Sequence, residues 1–94
     1  MDAEIPYLLA RCRLVIDALE RAEPGPYVDQ LRRAVNDTAA AGNARGLRIV
    51  RGDLLEMAQA LPPADRTALR SALAAQERDD PIHRARPGER GADG

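Results

Sequence analysis

The sequence predicts an all-α fold: a small four-helix bundle with short Pro/Gly connections and a disordered C-terminal tail. Three observations carry that expectation. Apolar residues recur at helical spacing in four stretches. Proline or glycine stands at each joint between them. Beyond about residue 79 the chain is charged, rich in Pro and Gly, and nearly free of large apolar residues. The expected organisation is a helical domain over residues 1–78 and a disordered tail or linker over 79–94.

The first segment covers roughly residues 4–22. Ile5, Leu8, Leu9, Cys12, Val15, Ile16 and Leu19 fall on one stripe. Pro6 is tolerated because the first turn has no intrahelical use for its N–H, and the acids Asp2 and Glu4 suit the positive end of the helix dipole. Pro24-Gly25-Pro26 ends it. The second segment, roughly 26–41, gathers Tyr27, Val28, Leu31, Ala34, Val35 and Thr38 on one face and Asp29, Arg32, Arg33, Asn36 and Asp37 on the other. Gly42 suits the left-handed conformation that closes a helix.

The third segment, roughly 44–61, repeats Leu47, Val50, Leu54, Met57, Ala58 and Leu61, with Asn43 placed to cap its start. Gly52 costs about 1 kcal/mol relative to alanine inside a helix. Asp53 followed by Glu56 also resembles a capping box. One continuous helix is therefore expected, with a start at Asp53 as the alternative. The fourth segment, roughly 63–78, begins after Pro62-Pro63. Leu69 and Leu73 are its only large apolar residues, so it is expected to be the least anchored element.

Composition limits the core. The chain has 94 residues and no phenylalanine or tryptophan, with Tyr7 and Tyr27 as its two aromatics. Ordering a residue costs about 1–2 kcal/mol of backbone entropy, while burying a leucine contributes about 1.5–3 kcal/mol and alanine much less. So short and alanine-rich a chain is expected to be marginal alone and to gain from a partner. All 14 basic residues are arginine, which with the alanine content suggests a GC-rich, bacterial genome. No apolar run approaches the length of a membrane span. The acidic N-terminus is unlike a secretory signal, and the expected location is the cytoplasm.

Candidate chemistry is sparse. His83 lies in the expected tail, where no scaffold holds a general base. Cys12 lies within an apolar stripe, where a thiol behaves as a small hydrophobe. One Cys and one His cannot form a Cys/His metal set, and the glycines form no phosphate loop. Neither catalysis, metal nor cofactor is expected.

Two surfaces are left unexplained by folding. Residues 30–52 carry a net +4, against −3 before and −2 after, through Arg32, Arg33, Arg45, Arg48 and Arg51. This basic block is a candidate contact for an acidic protein or for nucleic acid, unless neighbouring acids neutralise it. Nucleic acid is disfavoured by the net charge of −1 and by the lack of stacking aromatics in the block. The second surface is the back of segment one, where Tyr7, Leu14 and Ala18 lie nearly opposite the main stripe. A helix apolar on two faces is buried on two faces. Either segment one is the central helix, or this face is the interface of a homodimer or another protein complex.

The functional expectation is a non-catalytic protein–protein interaction module, for self-association or as an adaptor. An N-terminal domain of a larger bacterial signalling or defence protein is one setting, by fold-level analogy alone. A small nucleic-acid-associated regulator using the arginine-rich block is the alternative.

Overall fold

The structure is a computed structural model that describes residues 4–79. Four helices follow in order: α1 (Glu4–Ala22), α2 (Pro26–Ala40), α3 (Ala44–Ala58) and α4 (Pro63–Asp79). No strand occurs among the described residues. The four expected segments are all present. The expectation of a disordered tail lies outside the described residues, apart from Asp79, which is the last residue of α4.

Local chemistry sets each boundary. Glu4 lies in the first turn of α1 and Arg21 in its last, both favourable for the helix dipole. Pro26 opens α2, and the Tyr27 hydroxyl reaches back to donate to the Glu23 carbonyl at 2.9 Å, satisfying an acceptor just past the end of α1. At the other end of α2, Gly42 takes φ 70°. Its N–H donates to the Ala39 carbonyl at 3.0 Å, and the Asn43 N–H donates to the Thr38 carbonyl at 3.1 Å. That pair of bonds is a Schellman closure.

Asn43 then opens α3. Its side chain accepts from the Gly46 N–H at 2.9 Å. A Cβ at position 46 would lie 2.5 Å from the Asn43 amide nitrogen, so glycine lets the cap close over the first turn. With this cap in place α3 is one continuous helix, and Asp53 is inside it rather than at its start. The helix ends at Ala58, three residues before the expected limit. Leu61 precedes Pro62, and proline disfavours the helical conformation in the residue before it. Gln59, Ala60 and Leu61 instead bond to carbonyls three residues back, and Leu61 still reaches the core.

The helices alternate in direction. Arg13 meets Asn36 and Arg32 meets Asp17, so α1 and α2 are antiparallel. Glu4 meets Arg48, so the starts of α1 and α3 lie together. Arg11 meets Gln76, so α4 returns along α1. The helix α1 packs against all three others, α2 also packs on α3, and α4 rests mainly on α1 with few contacts to α3. The core is led by Leu8, Ile16, Val28, Val35, Leu47 and Leu54. Every fully buried side chain among the described residues is apolar or the Cys12 thiol. From α4 only Leu69 is fully buried. Met57, expected in the core stripe, is 38% exposed. It faces a groove of about 530 Å³ between Leu19, Tyr27 and Leu61, where the ends of the helices diverge.

Candidate interaction surfaces

The back of α1 is largely covered within the single chain. Ala18 is only 1% exposed, and Tyr7 and Leu14 are half-buried against the core. The covering element on the Tyr7 side is α4. Gln76 donates its amide to the Tyr7 carbonyl at 3.1 Å and accepts from Arg11 at 3.2 Å. Arg11 also pairs with Glu77 at 3.3 Å and lies over the Tyr7 ring, 5.5 Å from its centre. The Tyr7 hydroxyl donates to Glu77 at a long 3.4 Å. Ala18 is therefore interior, and α1 is the central helix.

The basic block does not assemble into one patch. Arg32 pairs with Asp17 at 2.8 Å and with Glu20; the hydrogen bonds to these two carboxylates hold its pKa above the usual guanidinium value. Arg48 pairs with Glu4. Glu4 and Glu20 are 16 residues apart on one helix, or about 24 Å at 1.5 Å per residue, so Arg32 and Arg48 are held at opposite ends of α1. Arg33, Arg45 and Arg51 have no ion pair among the described residues. Arg33 and Arg45 are exposed, while Arg51 is half-buried.

Arg51 and Arg11 both act on Cys12. The thiol is fully buried, and burial raises its pKa; the two guanidinium groups oppose that rise without cancelling it. A protonated thiol in an apolar core is a poor nucleophile. No group of three or more metal-ligating side chains occurs among the described residues. His83 lies outside them.

A second open surface lies between α3 and α4. Because α4 leans on α1, a cleft of about 170 Å³ separates it from the C-terminal half of α3. Leu55 and Ala58 form one wall, Leu69 and Leu73 the other. Arg66 and Arg70 stand on the α4 rim, and Arg66 donates to the Gln59 carbonyl at 3.3 Å. Ile49, 59% exposed, lies nearly two helical turns before Leu55 on the same helix. Gly52 lies between them, with open space where a Cβ would point. Ile49 and Leu55 fall outside the main α3 stripe, so the dominant periodicity does not find them. No known family model, curated protein or solved structure matches the chain.

Proposed function

We propose that this chain is a non-catalytic protein–protein interaction module that works through its α3–α4 side. The observation that carries this reading is the cleft itself. Its walls are leucine and alanine, its rim is polar, and the chain's own helices leave it open. Exposed apolar surface rimmed by polar residues is the usual character of an interaction site, and a groove between two helices suits an incoming helix. The interior adds support, since its packing is apolar and its one thiol is held protonated. The unpaired thiol also suits a reducing compartment such as the cytoplasm. An adaptor role in bacterial signalling or defence rests on fold-level analogy.

A nucleic-acid-associated regulator is the second reading. It ranks lower because two of the five arginines it would use are held by acids at opposite ends of α1.

Site-specific photo-crosslinking tests the proposal. Benzoylphenylalanine replaces Gln59, an exposed residue that lines the cleft, with exposed Gln30 of α2 as the control position. After irradiation in the cells of origin, position 59 should give protein adducts at defined residues and position 30 should not. A protein adduct missing at position 59, or equal labelling at both positions, would remove the basis for the reading.

A further inference from the structure

We infer that this chain pairs with a second copy through the outward face of α3, in a two-fold dimer with the two α3 helices antiparallel. The inference goes beyond the cleft and does not depend on it. Three features of α3 have no explanation inside one chain. The first is Ile49, 59% exposed on the side away from the buried Leu47 and Leu54. The second is Gly52. Glycine weakens a helix interior relative to alanine, yet nothing lies within 4 Å of the place its Cβ would take. The third is the order of charge. The first turn of α3 has no acid and its last turn no base. Arg45 stands near the start and Glu56 near the end, the reverse of what the helix dipole favours. Neither makes an ion pair among the described residues. Each also has a like charge three residues away, Arg48 and Asp53 respectively, a spacing at which like charges repel.

One arrangement accounts for all three. Arg45, Ile49, Gly52 and Glu56 follow one another at steps of four, three and four residues, the spacing of a coiled-coil seam. They keep within about 60° of the helix surface at 100° per residue, and all four are exposed. Residues 45 and 56 share one midpoint with residues 49 and 52, between Val50 and Arg51. A two-fold axis at right angles to α3, passing beside that midpoint, lays a second α3 antiparallel against the first. In such an interface residue i meets residue j and residue j meets residue i. Arg45 of each copy then meets Glu56 of the other, and Ile49 of each copy seats in the gap at Gly52 of the other. Each contact occurs twice. A uniformly acidic partner helix would satisfy Arg45 and repel Glu56, and a uniformly basic one would do the reverse. The same stripe read backwards carries the opposite sign at each end and a side chain where the first has none. One isoleucine per copy makes a small interface, so the association is weak, with a dissociation constant of about 10 μM to 1 mM.

Sedimentation equilibrium on the purified chain tests this with charge swaps, at low ionic strength, where exposed charges are least screened. The wild type should dimerise. Arg45→Glu or Glu56→Arg alone should weaken the dimer about tenfold, because each change places like charges together twice. The double variant should recover most of the loss, and so should an equimolar mixture of the two single variants. Each single change gives its end of α3 the charge the dipole favours, so the monomer should stay folded, and a cooperative melt followed by circular dichroism checks it. A wild type that remains monomeric at roughly 1 mM, the weak limit of specific association, overturns the inference. So does a dimer indifferent to the single changes, or one that neither the double variant nor the mixture restores. A monomeric chain that still gives adducts to a different protein at position 59 sinks the dimer and spares the cleft reading. A charge-sensitive dimer with no such adduct does the reverse.

Discussion

Arg11 and Gln76 face each other across α1 and α4 as donor and acceptor, 3.2 Å apart, while the same Gln76 holds the Tyr7 carbonyl at 3.1 Å. One α4 side chain thereby grips α1 at two positions a turn apart. The grip matters because α4 has only Leu69 fully buried. Polar contacts near its C-terminal end complement an apolar anchor nearer its start.

Gln76→Ala should therefore loosen α4 before anything else. Two side-chain hydrogen bonds at about 1 kcal/mol each set the scale of the loss. Hydrogen exchange should quicken along α4, with α2 and α3 nearly unchanged. Tyr7→Phe should do little, within about 0.5 kcal/mol, because a 3.4 Å contact is a weak hydrogen bond. Uniform loss of protection over all four helices in Gln76→Ala would show that α4 does not open separately.

Ala18→Leu should destabilise the single chain. The site is closed in the folded monomer, and added methylenes in a packed core cost about 1–3 kcal/mol. The drop in melting temperature should be the same at every protein concentration. A drop that vanishes on dilution, or a gain in stability, would mean that residue 18 meets another molecule.

Cys12 should make stability fall in alkali. In the unfolded chain the thiol titrates near its ordinary value of about 8.5; in the folded chain burial holds its pKa higher. The unfolded state therefore releases its proton first. The contribution is fully present below about pH 8 and declines as pH rises through the raised folded value. Chemical denaturation from about pH 7 to about pH 10 should show that decline in the wild type and a flatter profile in Cys12→Ala. Equal slopes in the two proteins would contradict it. A thiol reagent should label Cys12 only as fast as the protein opens, since the group is fully enclosed.

Duplex DNA should bind weakly at physiological salt. Arg32 and Arg48 are engaged with carboxylates, which leaves three arginines of the basic block, Arg33, Arg45 and Arg51, without an ion pair among the described residues, and binding through so few phosphate contacts falls steeply with salt. Fluorescence anisotropy in about 150 mM salt, where the Debye length is about 8 Å, should show no saturation at micromolar protein. Tight binding lost in the Arg33→Ala, Arg45→Ala double variant would promote the nucleic-acid reading.

The four helices are legible because each carries its own start or stop chemistry: Pro26, Gly42, Asn43 and Pro63 mark boundaries through local stereochemistry alone. The end of α3 is harder to place because Leu61 keeps the helical spacing of its stripe while Pro62 takes its backbone out of the helix. The double-faced character of α1 is also visible, but not what covers its second face. Gln76 and Glu77 lie 65 to 70 residues from the α1 groups they bond, and polar pairing over that separation leaves no periodic trace. The basic block misleads for a related reason. Charge summed along the chain does not report which arginine has a carboxylate opposite it in space. The cleft arises from how α4 leans on α1, which no spacing in the residue order reports.

Asn43 ends one helix with its N–H and begins the next with its side chain. A connection in which one residue serves both helices has no spare length. An inserted residue at this point would turn α3 by about 100° and advance it by about 1.5 Å. Leu47 and Leu54 would swing out of the interior, and Arg48 would leave Glu4. Insertions and deletions should therefore be tolerated at the two proline joints and rejected here. The phase of the whole second half of the molecule is set at one side-chain amide.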